Sequence, residues 1–258
     1  MSKKIDRTGE ERVNNFGSKM IIKRYRTNKD IDVYFPKYNW TAKHVIYKNF
    51  KNGQIKCPYE RRYFNVGYLG EGKYMVSENG KLKQEYKIWY DMLRRCYDPK
   101  LHERYTTYKN CTVEEYLLNF QRMGEWIENN YYEVPGEKMC LDKDILCKGN
   151  KIYSRDTCIF VPQRINALFT KSDKTRGKNP IGVHPTSSGN YQVFCCDGYG
   201  KQIPLGVYST REDAFQVYKE YKEKIIKEVI DSYEGRISEP YYSKLKEAMY
   251  NYEVEIND

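Results

Sequence analysis

The order of apolar and polar residues predicts a β-rich segment at the start of the chain. Residues 18–35 indicate two strands joined by a turn, and residues 42–50 indicate a further pair of strands. Asn52 and Gly53 form a turn signal ahead of the next short apolar segment. Together these signals predict a small β-rich module over residues 15–70.

Helical spacing of apolar residues follows in the middle of the chain. Residues 84–97 predict one helix, which stops near Asp98 and Pro99. A second helix is predicted over 112–129, where Thr112 and the glutamate three residues later form a capping box. The apolar positions of this second helix are Tyr116, Leu117, Phe120, Met123 and Ile127. Their spacing indicates a core-facing side.

Two hydrophilic stretches are interpreted as connections between modules. Residues 67–73 are rich in glycine but lack the spacing of a phosphate-binding loop, so no nucleotide cofactor is predicted. Residues 171–180 are basic and precede three short predicted strands over 181–208. Ser209 and Glu212 then form a predicted capping box for a helix. The apolar stripe of that helix comprises Ala214, Tyr218, Tyr221, Ile225 and Val229.

The positive charge of the chain is concentrated at its N-terminal end. The formal net charge is +10, and residues 1–70 hold 16 basic and 6 acidic residues, so the remainder is neutral. The basic residues are interleaved with tyrosine, a combination that suits phosphate contact together with stacking or groove packing. Nucleic acid is therefore the favoured partner. A solvated basic face over a tyrosine core is the alternative.

The location and redox state follow from what the sequence lacks. No apolar stretch is long enough to span a membrane, and the N-terminus has no apolar export signal, so a cytoplasmic protein is expected. The eight cysteines include no C-x-x-C pair, so reduced thiols are expected and zinc is disfavoured. A zinc site built from Cys140, Cys147 and Cys158 is the alternative.

Charged residues gather at the end of a predicted strand in the centre of the chain. A short strand is predicted at residues 141–146, and it carries Asp142, Lys143 and Asp144. A second apolar segment, 158–162, leads into a predicted helix that contains Asn166. Carboxylate and amide oxygens arriving from both sides suit a hard divalent ion, Mg²⁺ or Mn²⁺. An ordinary hairpin with solvated acids is the alternative.

These residues belong to an ordered series of motifs. The series is Trp89, Met92, Arg95-Cys96-Tyr97, Tyr105, Tyr108, Leu141-Asp142-Lys143, Gly149-Asn150-Lys151-Ile152-Tyr153-Ser154 and Cys158-Ile159-Phe160-Val161. It covers residues 85–170 and resembles the HNH endonuclease family, in particular a phage-associated branch. The resemblance implies a ββα-metal fold that grips duplex DNA in the minor groove and hydrolyses one phosphodiester. It also implies Asp142 and Asn166 as the metal ligands.

The chain departs from the HNH pattern at two positions. Lys143 stands where the family places its general-base histidine, and Thr157 stands where it places its middle asparagine. Lys143, together with Asp144, is a candidate to serve the attacking water. Equally, Lys143 is a candidate to hold a phosphate in a protein that has lost cleavage. A nuclease and a catalytically degenerate DNA-binding or anti-defence protein therefore both stay open, beside a module that binds an acidic host protein.

The last part of the chain carries a second set of motifs. The set is Gly182-Val183, Tyr191-Gln192-Val193, Leu205-Gly206-Val207-Tyr208, Thr210, Glu212 and Ala214. It resembles the plant-type ethylene-response DNA-binding domain, which implies a three-stranded sheet in the major groove. The chain lacks that family's arginine-rich sheet, which weakens the implied reading of bases. A tyrosine-rich helix over 238–252 is expected to pack on this domain.

The predicted fold class is α+β with three modules. They are a basic β-rich module over 1–72, an HNH-like domain over 73–170 and a sheet-plus-helix domain over 171–258. The predicted partner is double-stranded DNA. The predicted nucleic-acid contacts are Lys19, Lys23, Arg24, Arg26, Arg94, Arg95, Arg164, Lys174, Arg176, Lys178, Tyr191 and Lys201.

Overall fold

The computed structural model describes residues 5–170 and 179–256. The chain is of mixed class, with 34% helix and 25% strand, which agrees with the predicted α+β class. It divides into two compact units. Unit 1 comprises Met1–Pro99 and Glu115–Glu125, and unit 2 comprises Lys100–Glu114 and Trp126–Asp258. The three predicted modules are a finer division and stay a prediction.

Unit 1 begins with a four-stranded antiparallel sheet. The strands are β1 (Glu11–Val13), β2 (Lys19–Thr27), β3 (Asp30–Phe35) and β4 (Trp40–Val45), in that spatial order. A core forms on one face of the sheet because apolar residues alternate along the strands. Its buried members are Met20, Ile22, Ile31, Val33, Phe35, Ala42, Phe50, Ile55 and Cys57. The two strands predicted over 18–35 are confirmed.

Of the strand pair predicted over 42–50, the first strand is confirmed as β4 and the second is wrong. The chain leaves the sheet after β4 and forms a short helix, α1 (Tyr47–Lys51), which buries Phe50 in the core. The backbone N–H of Tyr47 donates to the carbonyl of Asn28 at 3.0 Å, which fixes the start of this helix beside the β2–β3 turn. Gly53 then ends the helix at a φ of +67°, so the predicted turn signal marks a helix end.

The rest of unit 1 is built around one buried tryptophan. After the hairpin of β5 (Ser77–Glu78) and β6 (Lys81–Leu82), α2 spans Gln84–Tyr97, as predicted. Trp89 of α2 is fully buried, and its indole N–H donates to the carbonyl of Leu117 at 3.0 Å. The segment 67–73, predicted to be a connection, packs inside the unit: the N–H of Tyr68 donates to the carbonyl of Leu118 at 3.1 Å.

The helix predicted over 112–129 is interrupted. Thr112 does not cap a helix but lies in β7 (Thr112–Val113), because its N–H donates to the carbonyl of Lys151 at 2.9 Å. This bond belongs to a parallel pairing with β9 (Ile152–Tyr153). Short helix α3 precedes β7, and two helices follow it. Their bounds are Pro99–Arg104 for α3, Glu115–Leu118 for α4 and Phe120–Asn130 for α5.

The centre of unit 2 is a hairpin followed directly by a helix. Strand β8 (Met139–Asp142) pairs antiparallel with β10 (Ile159–Pro162), so that Asp142 stands opposite Ile159. Helix α6 (Gln163–Leu168) follows without a loop and packs against both strands. The structure therefore contains the strand–strand–helix order predicted from the sequence.

A second sheet and two helices complete unit 2. Strands β11 (Val183–Pro185), β12 (Tyr191–Cys196) and β13 (Gln202–Tyr208) form an antiparallel sheet, as predicted. Helix α7 (Arg211–Asp231) packs on this sheet, and α8 (Tyr241–Tyr250) packs on α7. The cap of α7 is shifted by one residue from the prediction: Thr210 Oγ1 accepts from the N–H of Asp213 at 3.1 Å. No helix of the described residues is long and apolar enough to cross a bilayer.

Candidate nucleic-acid interface

The acidic residues of the N-terminal sheet are paired within the unit. Arg26 binds two of them, with its Nη1 at 2.8 Å from Asp30 and its Nη2 at 2.7 Å from Asp32. This guanidinium lowers the pKa of Asp32 to about 2, with a second contribution from the N–H of His44. Further pairs are Arg7 and Arg12 with Glu10, Lys19 with Glu11, and Arg62 with Glu60.

The same pairing bears on the one cluster with metal-ligand spacing among the described residues. Asp30, Asp32 and His44 place their ligand atoms within 4.8 Å of one another. Arg26 already supplies a cation to both carboxylates, so a metal ion would have to displace its guanidinium. The cluster is therefore explained as an internal ion pair. Arg26, predicted to contact nucleic acid, is engaged by these acids.

Within residues 5–70, eight basic side chains are left with no carboxylate partner among the described residues. All eight are exposed to solvent. They are Lys23, Arg24, Lys29, Lys37, Lys43, Lys48, Lys51 and Lys56. The predicted contacts Lys23 and Arg24 belong to this set, whereas the predicted Lys19 is paired with Glu11 at 2.8 Å. The surplus charge of the sequence is thus presented on the surface of this unit.

The strand register gathers four of these cations at one end of the sheet. Arg24 of β2 stands opposite Asp32 of β3. The Asp32 carboxylate accepts from the N–H of His44, which follows Lys43 in β4. Lys29 lies in the β2–β3 turn, and that turn is hydrogen-bonded to the start of α1, which carries Lys48. We name Arg24, Lys29, Lys43 and Lys48 the basic end of the sheet. These four residues are separated along the chain, so the sequence alone does not show that they lie together.

Aromatic rings lie under several of the unpaired cations. The Lys23 ammonium is 5.3 Å from the centroid of the Tyr34 ring, and the Lys56 ammonium is 5.7 Å from that of Phe16. Such rings hold a cation by cation–π attraction without neutralising its charge. The ammonium groups therefore keep the charge with which to attract phosphate.

The predicted contacts on α2 are differently placed. Arg94 is exposed and forms an i,i+3 pair with Asp91 at 3.0 Å, an interaction of little strength in water. Arg95 is half-buried and has a partner within the protein. Of the two, Arg94 is the one accessible to a phosphate.

In unit 2, Asp142 ends β8 with its carboxylate turned back onto the following turn. Its Oδ1 accepts from the N–H of Asp144 at 2.8 Å and from the N–H of Ile145 at 2.7 Å. Burial, followed by the negative charge of Asp144, raises the pKa of Asp142 to about 6 despite those two bonds. The site thus holds a carboxylate that is costly to ionise.

Lys143 is held by the next residue along the chain, Asp144. Its ammonium is 2.9 Å from Asp144 Oδ2, and only 5% of the residue is exposed. Burial opposes the charge, but the hydrogen bond and charge of Asp144 outweigh it, so the pKa of Lys143 is raised. A lysine that stays protonated cannot accept a proton from water. The raised pKa therefore disfavours the general-base role that is one of the two predictions for Lys143.

Asn166 lies half-exposed on α6, four residues after β10 ends. The Asn166 side chain forms no hydrogen bond with the described residues. Neither does Oδ2 of Asp142. A carboxylate oxygen and an amide oxygen are ligand types that Mg²⁺ accepts, alongside water and substrate phosphate. The donor types of Asp142 and Asn166 therefore suit Mg²⁺, and their binding of one ion together stays a prediction. Asn150 was not predicted as a site residue, yet its amide braces the loop by donating to the carbonyl of Lys143 at 2.7 Å.

The remaining predicted contacts lie around the second sheet. Arg164 is engaged: its Nε donates to the carbonyl of Gly198 at 2.9 Å, and its guanidinium stacks 3.8 Å from the Tyr199 ring. Tyr191 is half-buried against the core of unit 2, whereas Lys201 is exposed. Three more, Lys174, Arg176 and Lys178, lie outside the described residues.

Comparison with known proteins finds no family model, no curated protein and no solved structure that matches this chain.

Proposed function

We propose that this chain is a DNA-binding protein whose N-terminal sheet contacts the phosphate backbone of duplex DNA. The observation that carries the proposal is the set of eight exposed cations within residues 5–70 that have no carboxylate partner among the described residues. Exposed lysines release condensed counterions when they neutralise phosphates, and this release is the main source of sequence-independent affinity for DNA. The basic end of the sheet is the proposed centre of contact.

The proposal is tested by neutralising three residues of the basic end. The variant Lys29→Gln, Lys43→Gln, Lys48→Gln removes three charges that have no carboxylate partner in the described part of the chain. The matched control is Lys224→Gln, Lys227→Gln, Lys244→Gln, which makes the same chemical change on two surface helices of unit 2. We expect at least about a tenfold loss of affinity for a 20-base-pair duplex in the first variant at 0.1 M salt. Equal losses in the two variants would contradict the proposal.

A second candidate function is metal-dependent hydrolysis of a phosphodiester at the β8–β10 hairpin. It is supported by Asp142, a carboxylate whose pKa is raised to about 6 by burial and whose Oδ2 accepts no hydrogen bond from the described residues. Asp142 and Asn166 would hold a Mg²⁺ or Mn²⁺ ion, which polarises the scissile phosphate when bound. Lys143 would hold Asp144 in place beside that phosphate. The phage-type HNH resemblance supports this candidate, and the protonated Lys143 favours its degenerate alternative.

Cleavage separates these alternatives. Supercoiled plasmid is incubated with the protein and Mg²⁺ or Mn²⁺, and wild type is compared with Asp142→Ala. Nicked or linear product that disappears in the variant supports hydrolysis. A retarded but intact plasmid supports DNA binding without cleavage, as in a regulator or an anti-defence protein. If neither occurs, a host protein with an acidic surface becomes the partner to test.

A further inference from the structure

A tight turn in unit 1 places a phenylalanine in a backbone conformation that phenylalanine rarely adopts. Phe64 has a φ of 53° and Asn65 a φ of 61°. The N–H of Val66 donates to the carbonyl of Tyr63 at 3.1 Å, which closes a turn with both central residues left-handed. Asparagine and glycine tolerate this region, whereas a bulky residue there is an outlier that costs about 1 kcal/mol or more.

The turn itself does not require the phenylalanine ring. The turn packs on α2 through Tyr63, whose ring centroid is 4.9 Å from that of the buried Trp89. Gly67 lets the backbone approach, because a Cβ there would clash with Leu93 and lie 3.0 Å from the Trp89 ring. Glycine at position 64 would make the same turn without strain. The ring of Phe64 therefore has to be explained by something other than the turn.

The strain places an aromatic pair at the surface. The ring of Phe64, itself half-buried, lies 5.3 Å from that of Tyr90, with an interplanar angle of 51°. Tyr90 is 37% exposed and rests on Tyr86 below it, at 6.0 Å between ring centroids. Lys87 lies three residues before Tyr90 and Arg94 four residues after it, so both lie on the same face of α2. Both are exposed.

We propose that Phe64 and Tyr90 form a stacking site for an unpaired nucleobase, with Lys87 and Arg94 contacting the adjoining phosphates. This inference rests on the proposed DNA-binding function and assigns it a substrate class, DNA with a base outside the stack. Aromatic rings beside cations match a nucleotide, which offers a π face next to a phosphate. Paired bases inside a duplex have both faces covered, so the site discriminates against fully paired DNA.

The test uses two duplexes of equal length and sequence, one fully paired and one with a single bulged 2-aminopurine. The wild type is expected to bind the bulged duplex about tenfold more tightly and to quench the 2-aminopurine fluorescence, since stacking quenches this base. Phe64→Gly is expected to lose that preference and the quenching. It should keep its affinity for the paired duplex within about twofold and its melting temperature unchanged or raised, because glycine relieves the strain.

The matched control is Asn65→Gly, which relaxes the neighbouring position of the same turn and keeps the ring. It is expected to quench and discriminate like the wild type. Tyr90→Leu, which leaves the turn untouched, should lose the preference as Phe64→Gly does.

If the wild type binds both duplexes equally, or if Phe64→Gly keeps the preference, the stacking site is refuted while DNA binding stands. If the wild type binds neither duplex, both proposals fail together.

Discussion

Replacing Asp142 by asparagine should make the protein more stable at neutral pH. The carboxylate of Asp142 accepts two backbone N–H groups through Oδ1, and an asparagine carbonyl can accept the same two bonds. The substitution therefore removes a buried negative charge, and its repulsion with Asp144, while it retains the hydrogen bonds. Stability that rises when a polar residue is neutralised is characteristic of a residue kept for function.

The magnitude follows from the shift in pKa. Folding raises the pKa of Asp142 from 3.8 to about 6, so the unfolded state ionises first as the pH rises. The wild type therefore loses stability between about pH 4 and pH 6, and the loss is complete above pH 6. A shift of about 2 pKa units corresponds to about 3 kcal/mol, which is the largest gain expected for the variant at pH 7.5. Below pH 4 the two proteins should be equally stable.

The assay has to report on unit 2 separately, because a chain of two units need not unfold in one step. Trp126 lies in unit 2, 5.6 Å from the ring of Phe160 of β10, whereas Trp40 and Trp89 lie in unit 1. Labelling with 5-fluorotryptophan gives each tryptophan its own ¹⁹F resonance. Urea unfolding is followed at the Trp126 resonance for wild type and variant between pH 4 and pH 7.5.

A variant that is no more stable than the wild type at pH 7.5 would show that ionised Asp142 does not destabilise the fold. A gain in stability that is the same at pH 4 as at pH 7.5 would show that the effect of the substitution is not electrostatic. Either result would remove the argument that the protein keeps a costly charge at this hairpin.

Three further predictions concern individual contacts. Asp144→Asn should destabilise unit 2 by about 2 kcal/mol in urea unfolding, because it leaves the ammonium of Lys143 buried without its partner. Gly67→Ala should lower the thermal stability of unit 1 by about 2 kcal/mol, because its methyl group would overlap Leu93. Thr210→Ala should cost about 1 kcal/mol and speed hydrogen exchange in the first turn of α7, and an unchanged exchange rate would disprove the cap.

The sequence predicts most reliably the elements whose local signals agree. The helix over 84–97 has apolar residues at helical spacing and a stop at Asp98 and Pro99, and the structure gives α2 the same bounds. The helix over 112–129 is predicted by the same rules but is broken, because Thr112 pairs with a strand forty residues later. Pairing over that distance leaves no trace in the local pattern. Long-range strand contacts are what the sequence conceals.

At the candidate sites, the sequence identifies residue types but not their partners. It shows Asp142, Lys143 and Asp144 in a row, yet it cannot show that the lysine is held by the second acid. It shows the surplus charge of residues 1–70, yet it cannot separate Arg26, which is paired, from Lys29, which is exposed and unpaired among the described residues. The left-handed conformation of Phe64 has no sequence signal at all. Each of these depends on side-chain geometry in the folded chain.

The most direct test of DNA binding by the basic end is the salt dependence of affinity. Each phosphate contact contributes about 0.9 to the slope of log K against log salt concentration. We predict that the Lys29→Gln, Lys43→Gln, Lys48→Gln variant has a slope shallower than the wild type by about 2 to 3. The Lys224→Gln, Lys227→Gln, Lys244→Gln control should keep the wild-type slope. Identical slopes for all three proteins would show that the basic end does not contact the DNA backbone.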